Sequence, residues 1–130
     1  MLNLREIEVF KPYDSEFPEA LLSDAGFSDA ELDRWRAAPI LRIAKRDTEV
    51  LGIYAMQRVE PTLFHLFGLV VTQPVRKQGL GRWLVGHAIG VAESKGARVL
   101  TLAASGGSRM FQRVGFERAD DGWQFNLIQE

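Results

Sequence analysis

Cysteine is absent from this chain, which removes disulfides, thiolate metal sites and a cysteine nucleophile. A cysteine-free chain fits a reducing compartment, and a cytoplasmic location is expected. No apolar run approaches the length of a bilayer-spanning helix. The first residues, Met1 to Glu6, lack the basic stretch and apolar core of a secretory signal. Net charge is nearly absent too: 16 Lys and Arg oppose 17 Asp and Glu, for a formal charge of −1. Nothing in that balance draws the chain to nucleic acid or to an anionic membrane. There are two histidines and no H-E-x-x-H or EF-hand pattern, so no metal is expected. Repeats, linkers and low-complexity segments are also missing. An apolar share of 46% in 130 residues suffices for a real core, and one domain covering residues 1–130 is expected.

The most informative stretch is Arg76-Lys77-Gln78-Gly79-Leu80-Gly81. Upstream, Leu66 to Val71 reads as a buried strand, ended by Gln73-Pro74. Downstream, Leu80, Leu84, Ala88, Val91 and Ala92 recur at helical spacing. A glycine-rich turn between a strand and a helix leaves backbone N–H groups unpaired at the positive end of the helix dipole, a setting suited to phosphate or pyrophosphate. Gly79 and Gly81 allow close approach of a ligand, and Arg76, Lys77 and Arg82 add positive charge. The turn lacks the Lys-Ser or Lys-Thr of a P-loop, and Leu84 stands where a dinucleotide fingerprint needs its third glycine.

The rest of the chain reads as alternating strands and helices. Leu4 to Phe10 alternates with one slip and predicts a first strand. Glu16 to Leu22 is a short helical candidate. Ser28-Asp29-Ala30-Glu31 is a capping box that opens a second helix, which stops before Pro39. Ile40 to Ala44 and Val50 to Val59 predict a hairpin, and Thr62 to Val71 the next strand. A helix from Leu80 to Ser94 ends at Gly96. Val99 to Ala103 predicts a strand parallel to its predecessor if the helix crosses over the sheet. A short helix through Val114 and a strand from Trp123 to Leu127 complete the order. The class is α/β (α+β): a mixed, mostly antiparallel sheet of six to seven strands with helices on both faces.

At Val71 to Gly81 the chain resembles the acetyl-CoA signature of the GNAT acetyltransferase superfamily, and Phe111-Gln112-Arg113-Val114-Gly115-Phe116 is similar to the aromatic-x-x-x-Gly-Phe segment near the end of such domains. The resemblance is clear from about Thr62 to Phe116. It implies a single-domain GNAT fold in which two strands splay apart around the pantetheine arm of acetyl-CoA. Leu69, Val70 and Val71 would hold that arm through their backbone. Arg76, Lys77, Gln78, Gly79, Leu80, Gly81 and Arg82 would surround the pyrophosphate.

The implied reaction is N-acetyl transfer from acetyl-CoA, by direct attack, to an amine of a small molecule, peptide or protein. It needs a proton acceptor for the amine, donors for the oxyanion and a proton for the leaving thiolate. Many family members give that last proton from a tyrosine where this chain has Phe111, and bind the cofactor with an asparagine where it has Ala104. Ser105 and Ser108 are read either as substitute cofactor contacts or as caps of the short helix. His65 and Glu60 are the candidate general bases, each with an alternative: His65 as a packed strand histidine, Glu60 as a strand-end residue. By parity His65 shares a face with Phe67, Leu69 and Val71. Tyr54 lines the acceptor pocket or sits in the core, His87 is expected at the surface, and Trp83 covers the cofactor or a dimer contact. A homodimer through the last strand or its neighbouring helix is suggested. The alternative function is a weakly active or inactive acetyl-CoA-binding regulatory module that binds a protein partner, motivated by Phe111.

Overall fold

The computed structural model describes residues 2–103, 108–119 and 122–127, with only the backbone of Ser108 and Arg109. In chain order the elements are β1 (Glu8–Phe10), α1 (Glu19–Asp24), α2 (Asp29–Arg36), β2 (Ile40–Arg46), β3 (Glu49–Glu60) and β4 (Leu63–Val71). Then come α3 (Leu80–Ser94), β5 (Val99–Ala103), α4 (Ser108–Val114), β6 (Glu117–Ala119) and β7 (Gly122–Asn126). The strands form one seven-stranded sheet, ordered β1-β2-β3-β4-β5-β7-β6. Among the described residues only β4 and β5 run parallel, and α3 makes the crossover that a parallel pair requires.

Each face of the sheet carries its own core. One holds Tyr54, Met56, Phe64, Leu66, Leu100, Leu102 and Trp123, packed against Leu80, Leu84, Val85, Ala88 and Ala92 of α3 and Phe111 of α4. The α3 residues recur at helical spacing and form a single apolar stripe. Gly52 lets this helix lie close, because a Cβ there would stand 2.8 Å from Leu84 Cδ1. The opposite face buries Leu22, Leu32 and Trp35 of α1 and α2 against Leu41, Ile43, Ile53 and Ala55. The capping box of α2 forms as the sequence predicts: Glu31 N–H donates to Ser28 Oγ and Ser28 N–H to Glu31 Oε1.

Several local features differ from the sequence reading. Leu4–Glu6 is a 3-10 turn rather than strand, since the Asn3 side chain accepts from Arg5 N–H and curls the chain. The first helix begins at Glu19, after Pro18, and Asp14–Glu16 forms a separate turn. Glu117–Ala119 adds an edge strand, so β7 is paired on both sides by β5 and β6. β6 covers that edge of β7 only from Gly122 to Gln124.

The largest difference lies in β4. Ala55 pairs with Gly68 and Met56 with Leu66, leaving Phe67 as an extra residue, a β-bulge. The bulge shifts the side-chain alternation. His65, Phe67, Gly68 and Val70 fall on the α2 face, while Leu69 and Val71 fall on the α3 face. His65 therefore does not share a face with Leu69 and Val71.

Candidate functional site

The turn after β4 is built to leave donors open. Arg76 N–H still bonds to Gln73 O, and Trp83 N–H to Gly79 O. Among the described residues, no main-chain N–H from Lys77 to Arg82 has an acceptor. Lys77 (φ 66°) and Gly79 (φ 90°) both take left-handed backbone, which turns successive N–H groups inward as a concave nest. Nothing lies within 4 Å of a Cβ placed on Gly79. The side chains around the turn serve the fold: Leu80 is core, and Gln78 Oε1 accepts from Leu2 N–H while its Nε2 donates to Pro74 O. Arg76 Nε donates to Val71 O. Lys77 and Arg82 are exposed.

The turn opens onto a gap in the sheet. The β4–β5 register runs from Leu63↔Val99 to Leu66↔Leu102 and stops. Beyond it β4 continues from Phe67 to Val71 and, among the described residues, pairs only with β3. A cleft of about 410 Å³ fills the parting, lined by Leu66, Leu69, Val85, Leu102 and Phe111, and by Phe27, Phe67, Gly68 and Ala103 toward the α2 face. The side chains of Leu69 and Val71 pack against one core and that of Val70 against the other, and Leu69 also lines the cleft. A larger depression of about 570 Å³, lined by Lys11, Tyr13, Phe17 and Arg36, lies apart at the β1–β2 side. Its Arg36 is already paired with Glu19.

His65 sits one alternation before the cleft mouth, half-buried on the α2 face. Its Nδ1 lies 2.8 Å from Thr101 Oγ1, and that hydroxyl donates to Phe64 O at 3.4 Å. Of the two tautomers, the one with Nδ1 protonated lets Oγ1 accept from Nδ1–H while the hydroxyl donates to Phe64 O, and it leaves the lone pair on Nε2. Burial, and next the Arg34 charge, hold His65 below the usual imidazole range. Glu60 is exposed at the other end of β4, where it pairs with Leu63. The structure therefore does not bring the two candidate bases together.

The sequence matches the Acetyltransferase (GNAT) family over residues 3–116. The chain belongs to the GNAT acetyltransferase family. Solved members share its fold at low identity. A GNAT acetyltransferase from Elizabethkingia anophelis, with acetyl-CoA bound, superimposes with a TM-score of 0.78 at 22% identity, over 88% of this chain and 78% of the other. The Escherichia coli N-acetyltransferase YhbS, in complex with CoA, gives 0.75 at 22% identity over 94% and 81%. Ard1 from Thermoplasma volcanium gives 0.81 at 12% identity over 95% and 99%. No curated protein matches the sequence.

In this GNAT chain Phe111 lines the cleft and packs on Phe116 and Trp123, at ring separations of 6.0 and 5.9 Å. Ala104 and Ser105 lie outside the described residues, and the Ser108 side chain is likewise not described. His87 is not a free surface residue: its Nδ1 lies 2.8 Å from the buried Tyr54 hydroxyl, with Trp83 beside its ring. Tyr54 is thus a core tyrosine with a partnered hydroxyl. Thr101 was not legible as a site residue, because a threonine in a strand is ordinary. Its meaning comes only from pairing opposite His65.

Proposed function

We propose that this GNAT protein transfers an acetyl group from acetyl-CoA to a primary amine, with His65 as the proton acceptor. The observation that carries the reading is the unbroken series of unpartnered N–H groups from Lys77 to Arg82, leading straight into the parted β4–β5 gap. That series suits a pyrophosphate, and the unpaired edge of Phe67 to Val71 suits an extended amide-bearing arm. The apolar lining of the cleft suits its narrow end.

When bound, acetyl-CoA supplies an activated acetyl thioester. The protein's part is to hold it and to manage protons. The N–H nest and the helix dipole take the diphosphate charge. The free edge of β4 orients the arm toward the bulge. His65 Nε2 receives the proton that the acceptor amine sheds as its nitrogen forms the new amide, directly or through one water. Thr101 holds the imidazole in the tautomer that can do so. Phe111 offers no proton to the departing thiol, whose ordinary pKa of about 8.5 lets it leave unassisted. Ser105 and Ser108 are proposed as further cofactor contacts, and Glu60 as a secondary candidate base at the strand end.

The test is release of free thiol from acetyl-CoA across a panel of small amines and peptides, beside a thermal-shift titration with acetyl-CoA. Turnover with at least one amine and a raised Tm are expected. A raised Tm with no turnover on any amine would replace this reading with the cofactor-sensing module.

A further inference from the structure

Beside the cleft, on its α2 side, stands an exposed arginine, Arg34, that forms no ion pair among the described residues. The bulge sets Phe67 and Gly68 beneath α2, and Trp35 packs directly onto Gly68, where no Cβ intervenes. Arg34, one residue earlier, lays its guanidinium over the Phe67 ring with Cζ 5.1 Å from the centroid. Phe67 lines the cleft, and so does Phe27, which meets Trp35 edge-on at 5.5 Å.

Three other cations of the described residues are paired with carboxylates. Arg36 reaches Glu19 at 2.7 Å, Lys45 reaches Glu16 at 2.9 Å and Arg46 reaches Glu49 at 3.1 Å. Arg34 has no carboxylate within ion-pair distance among the described residues. Glu31, one turn back, has its Oε1 engaged by Ser28 N–H. The Arg34 side chain is exposed above the Phe67 ring, and a guanidinium open to solvent can take a carboxylate in two parallel hydrogen bonds.

This charge constrains the acceptor. An amine arrives as an ammonium, and beside Arg34 a purely cationic acceptor meets repulsion. An acceptor that also carries a carboxylate brings its own compensation. His65 lies two strand residues before Phe67, roughly 7 Å along β4, so amine and carboxylate must be separated by only a few bonds. We infer that Arg34 and Phe67 form a carboxylate subsite, and that the acceptor is a free amino acid rather than a polyamine, a lysine side chain or a peptide amino terminus. The inference rests on the acetyltransferase reading above.

The experiment uses the full chain with amino acids paired against their own carboxamides, for instance phenylalanine and phenylalaninamide. Two readouts are taken: kcat/KM with acetyl-CoA, and the 15Nε resonance of Arg34 in CoA-saturated protein. The acid is expected to exceed its amide at least tenfold in kcat/KM and to shift the Arg34 signal. Arg34→Gln should bring the ratio toward one, Arg34→Lys should keep part of it, and Arg36→Gln should leave it intact. Equal use of acid and amide by the unaltered protein, or an Arg34 signal that no amino acid moves, would overturn the subsite while leaving acetyl transfer standing. Failure of CoA itself to bind would instead overturn the reading beneath it.

Discussion

Gly68 and Trp35 lie so close that a Cβ on the glycine would fall against the indole ring itself. Trp35 is 4% exposed and bridges α2 to the bulge of β4, so it has little room to retreat. Gly68→Ala is expected to cost about 1–3 kcal/mol through overpacking, seen as a lower Tm and an altered tryptophan emission. Gly68→Ala with Trp35→Phe should cost less than the sum of the two single changes. Strict additivity would mean that the contact is not what fixes α2 over the cleft.

The His65–Thr101 pair predicts a tautomer. Thr101→Val removes the acceptor for Nδ1–H, and the 15N shifts of the imidazole should then move from one tautomer toward a mixture. The transfer rate should fall roughly tenfold or more, as when a base loses the group that sets its tautomer. Thr101→Ser keeps the hydroxyl and should restore both signals. An unchanged tautomer in Thr101→Val would separate Thr101 from the chemistry.

The pH dependence follows from the same histidine. A general base acts in its neutral form, and burial together with Arg34 lowers the His65 pKa from its ordinary value. Activity should therefore hold through neutral pH and fall on the acid side, with a midpoint below about 6.5. Arg34→Gln removes the lesser of the two causes and should move the midpoint upward. His65→Gln should abolish the limb and lower kcat by roughly 10²–10⁴-fold. A limb that survives His65→Gln would assign the base elsewhere, with Glu60 next to be tested.

Phe111→Tyr places a hydroxyl on a ring that already lines the cleft. If the departing thiol is short of a proton, this change should raise kcat, most at lower pH, with little effect on the KM for acetyl-CoA. A kcat unmoved by it would show that thiol departure is not limiting.

The parts legible in the sequence are those fixed by local rules. Periodicity and a capping glycine place α3 at residues 80–94, and the capping box places the start of α2. The turn from Arg76 to Gly81 has the expected setting, but its donors are backbone groups, and its charged side chains are exposed or turned onto the chain. Pairing effects were not legible. One extra residue at Phe67 inverts the facing of half a strand, so a parity argument that holds for His65 and Phe67 fails at Leu69 and Val71. Thr101, Arg34 and Gly68 gain their meaning from partners 36, 33 and 33 positions away in sequence, which no local pattern encodes.

The central claim is that the open N–H nest binds the pyrophosphate of acetyl-CoA, and Gly81→Asp tests it most directly. Gly79 is the poorer position, because its φ of 90° strains any other residue. Gly81 lies in the first turn of α3, with only Val71 Cγ2 at 3.9 Å from a Cβ there. An aspartate at that place suits the helix dipole and should preserve the fold. Its carboxylate would stand against the phosphates. Calorimetric titration with acetyl-CoA should show binding to the unaltered protein and at least a tenfold loss in Gly81→Asp at unchanged Tm of the free protein. Equal affinity in the two proteins would contradict the account.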